Sequence, residues 1–449
     1  MNGPVYIIKN SICIKPRRAT FIFCMKPFWK RNRSKIPGFF GAFVFVLLSL
    51  VEGNAQYNSN FLSYKQTGRC VTAGIEFEAG SNGMSTELVN KLVWGGFIDN
   101  TLKKESSRHL RDRNNFGLCL NYDVSSFFKG NSSFDFLIGV KNQEVLNATF
   151  TKDFFNLMFY GNAAYKGKVA DLSHSNVNAL RFQEVKVGAM LHRVDSVARI
   201  GLSISFLKGE QLFYIKTFKN SGLYTSADGT EVVFNSNFSL ALSDTAHKDL
   251  KTFNGVGASA DIFFESPYKS RLGKRSMLTV NANNIGFIHW RNNSVQYSSD
   301  SSLHFSGYTI KTISDLKDST LRRIDSDSLL RTLSNARTEN FNVNIPSNLV
   351  IINRIYFSDR FCLLAGFRHI FNANYVPYVF VEPEYKVKKV SFTIHTGYGG
   401  YVKLNVGASL TWNCSGWFLR FGSHSLQGYF FPKTAFGQGL YLCLAKKFK

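Results

Sequence analysis

Between Tyr401 and Trp412 the chain alternates without interruption. Val402, Leu404, Val406, Ala408, Leu410 and Trp412 fall on one side, and Tyr401, Lys403, Asn405, Gly407, Ser409 and Thr411 on the other. Successive side chains of a β-strand point to opposite faces, so the stretch predicts a strand with one apolar and one polar face. It exceeds the length of about five or six residues usual in soluble sheets. It matches the roughly 9 to 11 residues needed to cross hydrocarbon at a tilt. Trp412 closes it where an interfacial aromatic sits. The expectation is a membrane strand with Val402, Leu404, Val406, Leu410 and Trp412 facing lipid and Lys403, Asn405 and Ser409 facing a wet lumen. On that reading an arginine at Leu404 is costly and one at Asn405 mild.

The same period recurs along the chain. Val71 to Phe77, Leu118 to Val124, Phe134 to Val140, Val185 to Leu191, Ile200 to Phe206, Val256 to Phe264 and Leu278 to Ala282 alternate in this way. After Pro346 come Leu349 to Phe357, Phe361 to Ile370, Val376 to Lys386, Val390 to Tyr398, Trp417 to Phe421 and Leu440 to Phe448. The polar face stays rich in Gly, Ser, Thr, Asn and Lys, as a polar lumen requires. His395, between Thr393 and Gly397, falls on that lumen face. Connectors at Ser358-Asp359-Arg360 and Asn413-Cys414-Ser415 are very short, and Arg193 to Ser196 and Ser226 to Gly229 read as turns.

Three regions break the pattern. Thr86 to Lys104 reads as helical with Thr86 as N-cap, weakened at Gly95-Gly96 into two short helices. Leu88, Leu92 and Trp94 need a surface to cover, which predicts a plug or hatch. Thr151 to Tyr160 predicts a short helix capped by Thr151, with a nearly continuous apolar surface that should be buried. Residues 291–340 are an insert rich in Ser and Asp, with helix candidates at Asp315 to Ile324 and Ser326 to Leu333. Tracing strands back from the C-terminus puts this insert on the outer side of the barrel.

Composition agrees with this reading. Among 449 residues, aromatics reach 15%, with 43 Phe and 19 Tyr, and only 9 Pro stand against 35 Gly. That mixture suits strands, turns and aromatic girdles. Lys26, Lys30, Arg31, Arg33 and Lys35 precede the apolar run Gly38 to Val51, and Gly53-Asn54-Ala55 offers small residues at a cleavage site. This is the signal-peptide pattern, with cleavage after Ala55 and Met25 as the natural start. Residues 1–55 are then leader, and 56–449 a single barrel domain. No later apolar run approaches 18 residues, so embedding must use strands closed into a barrel.

The formal charge of +24 implies an anionic neighbour. The bases are scattered rather than blocked, which argues for phosphorylated lipid and against nucleic acid. The five cysteines of the mature part, Cys70, Cys119, Cys362, Cys414 and Cys443, are odd in number and widely spaced, unlike a disulfide framework. A search for chemistry finds little. His174-Ser175-Asn176 has the wrong spacing for an outer-membrane phospholipase motif, and GxSxG, HExxH and P-loop patterns are absent. Asp315, Asp318, Asp325 and Asp327 lack the glycine and closing glutamate of an EF-hand. The expectation is no enzyme, with no catalytic, cofactor or metal residue.

Four phrases, GNAAYKGKVADLSHSNVNALRFQEVKVGAMLHRV, ARIGLSISFLKGEQLFYIKT, NNIGFIHWRNNSVQYSSD and DSLLRTLSNARTENFNVNIPSNLVIINRIYF, carry a resemblance. The chain resembles a family of Bacteroidota outer-membrane proteins of unknown function, related in architecture to FadL-type and PorV-type barrels. The likeness covers residues 56–449. It implies an all-β, transmembrane, antiparallel up-and-down β-barrel of about 14 strands, within a range of 12 to 16, with short helices in a plug-like N-terminal segment and in loops. The partners implied are outer-membrane lipid, lipopolysaccharide and the barrel-assembly machinery, to which a terminal strand ending in Phe448 is presented. Two functions fit: passive binding or transport of a small, hydrophobic solute, or a non-transporting platform for a surface or secretion complex. The first needs a continuous lumen or a lateral opening, the second an occluded lumen.

Overall fold

The computed structural model of the protein describes residues 69–130, 133–192, 198–244, 252–271, 274–291, 294–305 and 335–448. The leader, residues 56–68, the turn at Arg193 to Ser196 and the helices at 315–324 and 326–333 lie outside the described residues. In chain order the elements begin with β1 (Cys70–Ser81), α1 (Thr86–Trp94), α2 (Asn100–His109), β2 (Arg113–Lys129), β3 (Phe134–Thr151) and α3 (Lys152–Tyr160). Next come β4 (Lys168–Asp171), β5 (Asn176–His192), β6 (Arg199–Thr217), β7 (Gly222–Thr225), β8 (Val232–Leu242), β9 (Gly255–Lys269) and β10 (Arg275–Trp290). β11 (Val295–Phe305), β12 (Asn335–Thr338), β13 (Phe341–Asn344), β14 (Ser347–Tyr356), β15 (Phe361–Phe371) and β16 (Val376–Val387) follow. The last are β17 (Val390–Gly400), β18 (Val402–Cys414), β19 (Trp417–Ser423), α4 (Gln427–Phe430) and β20 (Gly437–Lys447).

Fourteen strands close into one antiparallel ring. From β1 the neighbours run β2, β3, β5, β6, β9, β10 and β14. β15 to β20 then follow in sequence, and β20 returns to β1 over Cys70–Gly80 and Gly437–Lys447. Closure pairs each strand of the ring on both sides for at least part of its length, which reduces the edge-pairing liability of an open sheet. By internal contacts the chain divides into two units, and the ring belongs to the one holding Val51–Leu88 and Ile98–Lys449. Of the other unit only Val89–Phe97 is described: the rest of α1 and the break at Gly95, whose φ of +88° favours glycine.

The two rims differ. At the near rim, where Cys70 faces Lys447, connections are tight. Ser415 and Gly416 both take positive φ, +47° and +83°, as a two-residue hairpin turn requires. β18 runs to Cys414, so this turn lies one residue beyond the expected connector. The far rim carries the start of α1 (Thr86 to Leu88), α2, α3 and α4. There β6 outlasts β9 and pairs with β8, which continues to β7 and β11, and β11 to β12. The insert therefore begins and ends as strands rather than as an interruption.

Local chemistry explains the helices. Ser85, not Thr86, caps α1, its Oγ accepting from Leu88 N–H at 3.4 Å. Thr86 instead ties the first turn to the 432–435 loop, its N–H donating to the Ala435 carbonyl at 2.8 Å, as Glu87 N–H does to Pro432. α2 begins on Asp99, which accepts from Leu102 N–H at 2.8 Å. α3 is capped by Thr151 as expected, at 3.0 Å from Phe154 N–H. Its predicted burial does not hold: Phe155 is buried, but Met158 and Tyr160 are exposed. Only one face of α3 is covered. None of the described helices is long and apolar enough to cross a membrane.

Outside, the wall alternates as the sequence predicts. Ile200, Leu202, Ile204 and Phe206 of β6 are exposed, with Ile204 at 61%, while Ser203, Ser205 and Leu207 are buried. An aliphatic belt continues through Ile138, Val187, Ile262, Val381, Ile394 and Leu410. Exposed aromatics mark its near edge: Phe128, Phe134, Tyr268, Tyr385, Trp412 and Phe448. Inside, the face is not uniformly polar. Val350, Ile352, Leu364, Tyr378, Phe380 and Tyr401 form one apolar cluster. Leu180, Phe182, Leu207, Ile288, Trp290 and Ile345 form another.

Candidate functional site: a packed interior and a break in the wall

The polar positions of the ring point inward, where they meet partners from other strands. Lys186 of β5 bridges Asp261 of β9 and, at 2.9 Å, Glu184. Asp261 also accepts from Ser203 Oγ at 3.1 Å and Asn284 N–H at 2.8 Å. Lys186 is 2% and Asp261 0% exposed, and charges so placed persist only when paired and hydrogen-bonded. Arg181 joins Glu144 and Glu210 at 3.3 and 3.2 Å. Arg368 of β15 reaches Glu78 of β1 at 3.2 Å. A residual cavity lined by Asn121, Gln143, Asn284, Arg368 and Tyr401 measures about 40 Å³, room for a water or two. Among the described residues, side chains occupy much of this interior.

His395 lies on the inner face and is 2% exposed. Its Nδ1 meets Glu382 Oε1 at 2.8 Å and its Nε2 meets the Tyr378 hydroxyl. With His424, whose ring centroid is 4.8 Å away, Glu382 and His395 bring three potential metal-ligand atoms within 4.8 Å of one another. A divalent ion has the donor types it needs there. It would compete with Arg420, 4.0 Å from Glu382 Oε2, and Arg420 and Arg368 make the surroundings cationic. The sequence search missed this cluster because its members come from β16, β17 and the chain after β19, with no local spacing to announce them.

Among the described residues the wall has an incomplete seam. β18 pairs with β17 along Val402–Trp412 but with β19 only over Ala408–Cys414. β19 ends at Ser423, and β20 meets it only from Tyr441 onward. Between Val402–Gly407 and Gly437–Leu440 the gap is crossed by residues 424–436, including α4. Leu426 N–H donates to the Val406 carbonyl at 2.8 Å. Gln427 offers two of the groups a strand would supply: Oε1 accepts from Val406 N–H at 3.0 Å, and Nε2 donates to the Leu404 carbonyl at 2.9 Å. Beside this patch lies a cavity of about 380 Å³ lined by Ser81, Val402, Leu404, Val406, Phe431 and Phe436 among others. Its lining combines Val402 of the inner face with Leu404 and Val406 of the outer. Gly80 and Gly437 let the strands close around Val402, since a Cβ on either would collide with its Cγ2.

Leu404, Val406, Leu410 and Trp412 are exposed on the outer surface, and Asn405 and Ser409 are buried inside. Two expectations are corrected. Val402 is 8% exposed and packs inside, while Lys403 is exposed. The register of β17 against β18 shifts between Tyr398 and Gly399, where Gly399 and Gly400 take φ of +113° and +72°. The irregularity resets the alternation, so Lys403 and Leu404 are exposed in succession. The five cysteines of the ring are free thiols.

The fold and its surfaces define a class: a closed, 14-stranded, antiparallel up-and-down β-barrel with an apolar belt outside and a packed, largely polar interior. The chain belongs to the family of unknown function DUF5723, whose model matches residues 68–419. No curated protein matches it in sequence. Among solved structures, a deletion mutant of the monoaromatic hydrocarbon channel TodX is 10% identical, with 90% of this chain and 98% of that one covered and a TM-score of 0.44. The Ralstonia pickettii toluene transporter TbuX is 10% identical, with 86% and 90% covered and a TM-score of 0.42. The translocator domain of the autotransporter NalP from Neisseria meningitidis is 8% identical, with 92% and 95% covered and a TM-score of 0.34. At such identities and scores these likenesses say nothing about what this chain carries.

Proposed function

We propose that this protein is an outer-membrane β-barrel of a Bacteroidota-type envelope, exported by its signal peptide, that passes small hydrophobic solutes through the seam in its wall. The observation that carries the reading is the cavity of about 380 Å³ that touches Val402 inside and Leu404 and Val406 outside. An aliphatic belt edged by aromatics suits a bilayer, and the seam opens within the outer surface that bilayer would cover. The packed interior supports a lateral rather than an axial route. It also favours the second reading, a non-transporting platform for a surface or secretion complex.

A probe experiment separates the two. The full chain, in zwitterionic nanodiscs, is titrated with an apolar fluorophore such as 1-aminoanthracene. Transport through the seam requires saturable binding that Leu404→Trp weakens about tenfold with heat-modifiable gel mobility unchanged. Equal binding by wild type and variant would leave the platform reading. Fractionation with outer membrane, against phospholipid and lipopolysaccharide markers, tests the location itself.

A further inference from the structure

Lys403 lines the seam cavity, but a larger part of the positive charge remaining after the leader converges in another place. At the near rim, a cavity of about 580 Å³ is lined by Arg275, Arg354, Arg360, Lys386, Lys388 and Lys389. Its deeper walls include Thr411, Phe418 and Arg420, all buried on the inner face, so it is a vestibule entering the barrel rather than a flat patch. Two acids, Asp359 and Glu384, also line it. None of the six bases forms a salt bridge with a described residue. Arg354 hydrogen-bonds Tyr356 and has the Glu384 carboxylate nearby, Arg275 stacks over Tyr356 at 4.7 Å, and Lys389 Nζ donates to Cys414 Sγ at 3.2 Å. Elsewhere inside the ring the bases have acids: Lys186 has two, and Arg181 has two.

We infer that this vestibule binds a phosphate-bearing anion. Seven cations facing one space with two acids among them repel each other, and a multiply charged anion relieves that repulsion. Guanidinium groups match phosphate oxygens through paired N–H donors, while the lysines supply mobile point charges. The volume lies within the range of small-molecule pockets, roughly 300 to 1,000 Å³. The phosphate can come from a soluble phosphorylated molecule or from a phospholipid headgroup at the rim, and the same cations serve both. This inference stands apart from the transport reading, because the vestibule opens at the rim opposite the seam.

The probe is inorganic pyrophosphate, titrated by calorimetry into the full chain in zwitterionic nanodiscs at low salt. Binding is expected, weakening steeply as salt rises. The variant Arg354→Gln/Arg360→Gln/Lys386→Gln should bind at least tenfold more weakly with unchanged heat-modifiable mobility. Asp359→Asn, which removes an acid and keeps every base, should bind more tightly and guards against a triple variant that fails to fold. In discs containing an anionic phospholipid, competition with pyrophosphate identifies the headgroup as the source, and undiminished binding identifies a soluble one. Absence of pyrophosphate binding by wild type, or equal binding by wild type and both variants, overturns the inference.

Discussion

Val406 finds across the seam not a neighbouring strand but the side chain of Gln427, whose Oε1 accepts its N–H at 3.0 Å. The same amide donates to Leu404 at 2.9 Å, so one side chain satisfies two backbone groups that would otherwise face an apolar cavity. Gln427→Leu leaves both unpaired. A buried unpaired group costs about 1–3 kcal/mol, so a loss of about 2 kcal/mol or more is expected in urea unfolding from lipid vesicles. An unchanged midpoint would mean the seam is held by other contacts.

The outer face gives a second prediction. Ile204, in the middle of the belt, should tolerate arginine poorly, losing roughly 2–4 kcal/mol near a bilayer midplane. Lys403→Arg should change nothing measurable, because Lys403 is already exposed. Comparable losses at the two positions in reversible folding would contradict the belt.

Asn405→Arg, mild for a wet lumen, becomes severe in the packed interior. Asn405 is 6% exposed and bonds to Ser425, leaving no room or solvent for a guanidinium. Its folded yield is expected to fall well below that of Lys403→Arg, measured by heat-modifiable mobility. Equal yields would show an interior far wetter than the structure describes.

The ion cluster around Lys186 predicts strong non-additivity. Lys186→Met strands Glu184 and Asp261 together and should cost roughly 3–5 kcal/mol, the range for breaking a buried pair by removing one partner. Adding Glu184→Gln and Asp261→Asn should recover most of that loss. A triple variant as unstable as the single one would place the cost in packing instead.

At the far rim, Asp228 accepts from the Ser226 and Thr230 hydroxyls at 2.5 and 2.7 Å, and these bonds lower its carboxyl to about 2. Because the folded value lies below the unfolded one, the turn's support is present above about pH 4. It is lost as pH falls through about 2. Carboxyl NMR of selectively labelled protein should show Asp228 still ionised at pH 3, and Ser226→Ala should raise its titration point. A titration near the ordinary aspartate value would rule out those bonds.

How much of this was legible in sequence depends on which interaction decides each feature. Ile200 to Phe206 and Val390 to Tyr398 announce themselves because a strand facing two solvents must alternate, and the pattern is local. Thr151 is legible as a cap for the same reason. Val402 and Lys403 were not, since a register shift at Gly399 decides their facing, and no period reveals a shift. Nor could the sequence show Lys186 meeting Asp261, or Gln427 standing in for a strand, because those pairings exist only once the ring has closed. A polar lumen face reads the same whether water or other side chains fill it.

The pairing of Cys70–Gly80 with Gly437–Lys447 joins segments more than 350 residues apart in the chain. Closing so long a loop has to wait for synthesis of the final strand, and such long-range pairing is slow. Until then β1 and β19 present bare backbone edges, each able to recruit another strand. A ribosome stall or proteolytic nick ahead of Gly437 would therefore yield a sticky half-open sheet rather than a slightly shorter barrel.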